Sequence, residues 1–255
     1  MSGKLIGEGK RPLICTPLIG KTREILLQEM AEIIVKQPDI IEWRADFYAD
    51  IAVLQQVIET ARLLRQAAGE VSMIFTIRSE REGGQRISLS DSEVFTVNSA
   101  ICTETDFAYI DCELGRIASD ILNLRDVAHA NGAKIIASFH HFEFTPSLNF
   151  LYEKFAQAER FGLDVAKIAV MPRRLEDVLA LMSVTLEARK KIKIPLIAVS
   201  MGRYGAITRI LDATFGSSLT FAVGSQASAP GQVSIEDIRI ILGIIEKTMN
   251  PIDAQ

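Results

Sequence analysis

The sequence is poor in several residue types, and each shortage excludes something. Among 255 residues there are three cysteines, three histidines and one tryptophan. Cys15, Cys102 and Cys112 are odd in number, form no C-x-x-C pair, and each lies in an apolar stretch. Buried, reduced thiols in a reducing compartment are expected rather than a disulfide framework. His129, His140 and His141 do not combine with them at zinc-site spacing, so no metal site is expected. Neither sign of charge dominates, since 28 Lys+Arg face 32 Asp+Glu for a net charge of -4. Without a basic stripe or tail, nucleic acid is not expected as a partner. No apolar run is long enough to cross a bilayer. The first nine residues lack the apolar core of a signal peptide. A soluble, cytoplasmic protein with no membrane partner is the expectation.

What is present is apolar material cut into short runs. Hydrophobic residues make up 48% and charged residues 24%, ample for a core. Strands are predicted at Leu13–Thr16, Asp39–Arg44, Ser72–Arg78, Phe107–Glu113, Lys134–His140, Val165–Val170, Pro195–Ser200 and Leu219–Val223. Between them the spacing turns helical: Leu26, Met30, Ile33 and Ile34 share a face, as do Val178, Leu181 and Met182. Ser90 with Glu93, and Ser234 with Asp237, have the spacing of helix-capping pairs. About eight strands alternating with about eight helices is what a (β/α)8 TIM barrel requires, and this length suits a single domain spanning 1–255. A doubly wound open sheet is the competing architecture. The complete final strand–helix unit and the absence of a Pro/Ser/Gly linker favour the barrel.

Lys167 stands inside the otherwise apolar run Val165–Val170. Lysine is almost never fully buried without compensation, and burial disfavours its charged form. A free amine in such a place can attack a carbonyl and form a Schiff base. An edge strand with Lys167 facing water is the bland alternative.

In a barrel of this kind the active site lies at the carboxyl ends of the strands. Polar groups collect there. Strand two ends in Glu42, Trp43 and Arg44, with Glu42 and Arg44 on one side by the strand period of two. Strand three ends in Arg78, followed by Glu82, Gly83 and Gly84; strand four ends in Asp111, Cys112 and Glu113; strand five ends in His140 and His141. Singly these are a surface ion pair, a loop arginine and a structural histidine. Together they suit imine chemistry: Arg44 and Arg78 as cations that keep Lys167 neutral, His140 as proton shuttle, and Glu82 as the acceptor that fixes its tautomer. Arg209 and the loop Ser225–Gln232, which feeds a helix start at Ser234, form a candidate anion site for a phosphate or a carboxylate.

At these residues the chain resembles the type I 3-dehydroquinate dehydratase family. The resemblance rests on Pro17 to Thr22, Ile40 to Arg44 with Asp46, Phe75 to Arg78 with Glu82 to Gly84, and Asp111 with Glu113. It continues through Ser138, His140, Phe142, Thr145-Pro146, Ala166 to Pro172, Ser200-Met201, Phe215 to Ser217 and Ser228 to Gln232. It implies that Lys167 forms an imine with the C3 ketone of 3-dehydroquinate, and that His140 removes a C2 proton and then protonates the departing C1 hydroxyl. Glu82 would partner that histidine. Glu42, Arg44 and Arg78 would bind ring hydroxyls, and Arg209, Ser228 and Gln232 would hold the carboxylate. The resemblance further implies no metal or organic cofactor, a place in the shikimate pathway, a homodimer, and a mobile loop for which 79–89 and 225–233 are candidates. Two departures stand out. His141 replaces an acid beside the shuttle and points the other way in an ideal strand; Thr16 stands where some relatives carry serine. A class I aldolase and a metabolite-sensing barrel without catalysis are the competing functions.

Overall fold

The computed structural model describes residues 3–9, 11–224 and 233–249. Its strands are β1 (Leu13–Leu18), β2 (Ile40–Arg44), β3 (Ser72–Thr76), β4 (Tyr109–Glu113), β5 (Lys134–His141), β6 (Val165–Val170), β7 (Leu196–Ser200), β8 (Leu219–Val223) and the two-residue β9 (Val233–Ser234). Helices alternate with them: α1 (Arg23–Ile34), α2 (Leu54–Ala68), α3 (Asp91–Glu104), α4 (Ala118–Ala130), α5 (Leu148–Arg160), α6 (Leu175–Lys191), α7 (Gly202–Gly205), α8 (Thr208–Phe215) and α9 (Ile235–Met249). No helix among the described residues is long and apolar enough to cross a membrane.

Local chemistry accounts for the boundaries. Ser90 caps α3 with a reciprocal capping box to Glu93. At α9, Ser234 accepts from the Asp237 N–H at 3.1 Å and donates its hydroxyl to the Asp237 carboxylate at 2.7 Å. The apolar stripes face inward, with Leu26, Met30 and Ile33 buried on α1 and Val178, Leu181 and Met182 on α6. β3 stops two residues short of its predicted end. Beyond it the Arg78 and Ser79 N–H groups donate to the Asp46 and Glu113 carboxylates, at 3.4 and 2.7 Å, instead of joining a ladder. β9 was not predicted, because two residues carry no periodicity.

All strand pairs are parallel and the order is β7-β6-β5-β4-β3-β2-β1-β8-β9. A doubly wound sheet would reverse its order midway; here β1 to β7 follow the chain and β8 returns beside β1. The sheet curls into an α/β arrangement with helices outside. Between β7 and the residues leading into β8 there is, among the described residues, a single parallel bridge, Leu196 with Ser217, rather than a ladder. Two side-by-side bonds reinforce it: Ser218 N–H to Leu196 O at 2.7 Å, and Ala198 N–H to Ser217 Oγ at 3.1 Å.

Alternation along each strand divides the core. Outward side chains pack under the helices, where Trp43, Phe75 and Phe107 meet edge to face at 5.3 and 5.9 Å. Inward side chains near the amino ends, including Cys15, Ile40, Ile74, Tyr109, Ile136, Val165 and Leu219, form a second apolar layer. The segment before β1 closes that end: Ile6 packs into the layer and donates its N–H to the Tyr109 hydroxyl at 2.8 Å. Lys4 pairs with Asp39, which also accepts the Ile14 N–H.

Candidate active site

Moving up each strand, the inward positions change from apolar to polar. Ile40 gives way to Glu42 and Arg44, Ile74 to Thr76 and Arg78, Tyr109 to Asp111 and Glu113, and Ile136 to Ser138 and His140. On β6 Lys167 is inward between Val165 and Ala169. It sits beside Ser138 of β5 and Ile197 of β7 in register. The side chains grouped by sequence therefore converge on one face at the carboxyl ends. There Glu42, Arg44, Arg78, Glu82, His140 and Lys167 line a cleft with Gly83, Phe142, Met201 and Phe221, about 610 Å³ with its open mouth included.

Arg78 is the hub, 3% exposed. Its guanidinium pairs with Asp111 at 2.8 Å, Glu113 at 3.2 Å and Glu82 at 3.4 Å, and donates to Ser138 Oγ at 2.8 Å. Burial opposes the charge, but Asp111, Glu113 and Glu82 outweigh it and raise the guanidinium's pKa further. Ser138 in turn donates its hydroxyl to Asp111 Oδ1 at 2.6 Å. Glu113 is held from behind by the Ser79 N–H and by Arg116. Such a set is over-determined, since removing one partner would strand a buried charge at a cost of about 3–5 kcal/mol.

Lys167 is 6% exposed and does not face bulk water. Its Nζ lies 3.5 Å from Glu42 Oε1, 3.5 Å from Asp111 Oδ2, and 4.5 Å from the centroid of the Phe221 ring. Glu42 also accepts the Thr76 hydroxyl at 2.9 Å. Arg44 and Arg78, expected as the charges beside the amine, are not its nearest charged neighbours. Arg44 forms a two-point ion pair with Asp46, 2.8 Å each, and Arg78 is taken up by its three carboxylates. Carboxylates, not cations, are the nearest charges to the nitrogen, because the alternation of β2 and β4 turns Glu42 and Asp111 toward it.

His140 donates its backbone N–H to Glu82 Oε2 at 3.0 Å, and its Nδ1 meets the same oxygen at 2.9 Å. Burial, then the charges of Arg78, Lys167 and Arg44, hold the imidazole's pKa well below its ordinary value. Burial likewise pushes the Glu82 carboxyl up to about 8, against the pull of Arg78. A neutral imidazole anchored through Nδ1 leaves Nε2 as the working atom. Glu82 belongs to a 3-10 turn, Glu80–Glu82, ended by Gly83 at φ 81°. A Cβ on Gly83 would lie 2.2 Å from the Phe142 ring, so the turn fits only as glycine. His141 takes the opposite face, with its ring 4.1 Å from that of Phe144 and Nδ1 accepting loop N–H groups.

Arg209, on α8, is buried, donates to Phe221 O at 3.3 Å and lines the cleft. Ser228, Gln232 and nearly all of the second loop candidate lie outside the described residues. The first loop candidate is tethered over its first half: Gly84 N–H bonds Ser79 O at 2.8 Å, and Gln85 N–H bonds Asp46 at 3.0 Å.

The structure adds Asp111, Ser138, Thr76 and Asp46 to the residues that build the site. Asp111 was visible as a strand-end acid. Its inward parity, shared with Tyr109 and Glu113, was the signal that could have placed it against Lys167.

A curled parallel sheet whose carboxyl end gathers a buried amine, an imidazole–carboxyl pair and several arginines defines an α/β enzyme acting on a small molecule. The type I 3-dehydroquinase family matches residues 14–249. The chain is 44% identical over 247 residues to the 3-dehydroquinate dehydratase of Albidiferax ferrireducens, covering 97% of this chain and 94% of that protein. Among solved structures it is similar to the 3-dehydroquinate dehydratase of Geobacillus kaustophilus, with TM-score 0.94, 45% identity, and 96% and 95% of the two chains covered. A type I 3-dehydroquinate dehydratase from Clostridium difficile with covalent modified comenic acid superposes with TM-score 0.91, at 36% identity and 95% coverage of each chain. The chain belongs to the type I 3-dehydroquinase family.

Proposed function

We propose that the protein is a lyase that dehydrates 3-dehydroquinate to 3-dehydroshikimate through an imine on Lys167, in the shikimate pathway of aromatic amino acid biosynthesis. The observation that carries this reading is the Lys167 nitrogen, buried at the floor of a cleft that also holds a neutral imidazole. Lys167 Nζ adds to the ketone carbon, and the ketone oxygen leaves as water. The resulting protonated imine draws electrons from the neighbouring carbon. His140, neutral because it is buried among cations, accepts the proton from that carbon and delivers it to the departing hydroxyl; a water then hydrolyses the imine, restoring the ketone and freeing Lys167. Glu82 holds His140 by ring and backbone. The imine is its own electron sink, so the reading calls for no metal or organic cofactor.

Glu42 and Arg44 face the cleft and suit ring hydroxyls. Arg78 lines it too, although its guanidinium is already committed to carboxylates, which assigns it mainly to holding the site's geometry. Arg209, with Ser228 and Gln232, takes the substrate carboxylate. The proposal extends to a single (β/α)8 barrel domain closed at the β7–β8 seam, which the Leu196–Ser217 bridge supports. It extends also to a cytoplasmic homodimer, on family resemblance.

Borohydride reduction in the presence of 3-dehydroquinate should inactivate the enzyme and leave the reduced adduct on Lys167, read by peptide mass spectrometry. His140→Ala should still be trapped but barely turn over, with enone formation followed in the ultraviolet, while His141→Ala stays active. No adduct on Lys167 would end this reading.

A further inference from the structure

The Lys167 nitrogen has two carboxylate neighbours at the same distance, and they are placed differently. Glu42 lines the cleft; Asp111 is not among the lining residues and its side chain is 1% exposed. Every partner of Asp111 is a donor or a cation. Oδ1 accepts the Ser138 hydroxyl at 2.6 Å, and Oδ2 lies 2.8 Å from Arg78 Nη2 and 3.5 Å from Lys167 Nζ. Ser138 anchors Oδ1 by a hydrogen bond, and Oδ2, without a hydrogen bond of its own, is held by charge alone between Arg78 and Lys167. Lying outside the cleft lining, the carboxylate acts through Lys167.

Charge bookkeeping of the imine step gives that contact a purpose. The neutral lysine amine, a ketone and one proton yield a protonated imine and one water. The C–N bond forms, the C=O bond breaks, and one nitrogen proton leaves with the oxygen together with the added proton. The positive charge comes to rest on the nitrogen as the imine forms. We propose that Asp111 is the fixed counter-charge of that nitrogen, a positioning residue that keeps it in place and supports its charge once the protonated imine has formed. The inference rests on the Schiff-base reading above and extends it to a residue outside the cleft. Sharing Asp111 with Arg78 tempers its hold, so the nitrogen can still lose its charge when the enamine forms.

Other charged or titratable groups surround Lys167. Glu42 and Arg44 reach it from β2, Arg78 from beyond β3, His140 from β5 and Cys15 from β1, with Arg209 across the cleft. Of these acids only Glu42 matches Asp111 in distance, and it is free to engage a substrate hydroxyl. Asp111 is the one committed wholly to the protein.

The test is Asp111→Asn, which keeps shape and removes charge. With the wild type's adduct established by borohydride trapping, the variant should show kcat reduced about tenfold with KM changed less than about threefold. The alkaline limb of its kcat–pH profile should move down by about one unit or more, because an imine without its counter-charge loses its proton earlier. A merely structural role would lower activity evenly across pH. An unchanged alkaline limb, with the adduct intact, overturns the inference alone; absence of any wild-type adduct overturns the Schiff-base reading and the inference with it. If the variant does not fold, the wild type decides. Nitrogen-15 NMR of the lysine-labelled covalent complex should show a protonated imine throughout the working pH range, and a neutral imine there overturns the proposal.

Discussion

At the scale of single residues, the site works by holding ionisable groups away from their ordinary forms. Glu82 shows this most directly. Burial raises its carboxyl from 4.5 to about 8. The folded protein therefore keeps a proton there that the unfolded chain gives up. The stability linked to that proton is full below about pH 4.5 and is lost as pH climbs through about 8. Glu82→Gln cannot ionise, so its melting temperature should gain on the wild type's between about pH 5 and about pH 9. Parallel melting curves across that range would show that Glu82 is already ionised at neutral pH. The same burial keeps His140 neutral, and a neutral imidazole is what a proton acceptor at neutral pH must be. Lys167 has two carboxylates, Glu42 and Asp111, as its nearest charged neighbours.

At the scale of elements, alternation along the strands does most of the placing. The sequence made Glu42, Arg44, His140 and Lys167 legible as one inward set, because each sits at a definite parity in a strand whose limits are clear. β6 and β8 begin and end where their apolar runs do. The partners were less legible. Whether Lys167 meets cations or carboxylates depends on the register between strands far apart in sequence, which apolar patterning does not encode. The turn after β3 is a second such case. Gly83 was visible as part of a Glu-Gly-Gly string, but the reason for glycine, the face of Phe142 pressed against it, arrives from the loop after β5. Gly83→Ala must both take a left-handed backbone and displace that ring. We expect about 1–3 kcal/mol of lost stability and a fall in kcat as Glu82 shifts under His140, measured by denaturation and steady-state kinetics. An alanine variant of wild-type stability would mean that Phe142 yields without cost.

At the scale of the whole molecule, the α/β class and the strand order followed from the alternating pattern, whereas the thinness of the β7–β8 seam did not. That seam depends on Ser217, a buried residue whose hydroxyl accepts the Ala198 N–H at 3.1 Å and donates to Leu219 O at 3.2 Å. Ser217→Ala leaves the Ala198 N–H without its acceptor, and the cost should be about 1–3 kcal/mol. Amide exchange at Ala198 should rise more than at Ile136 on the far side of the sheet; equal rates would place the weak point elsewhere. The amino end of the sheet behaves in the opposite way. There Lys4 on Asp39 and Ile6 on Tyr109 act as a stopper. Among the described residues that end is filled and the cleft opens at the other, so under the proposed function the incoming ring acid, its product and each expelled water would share one doorway in turn, and a molecule slow to depart would bar the next from entering.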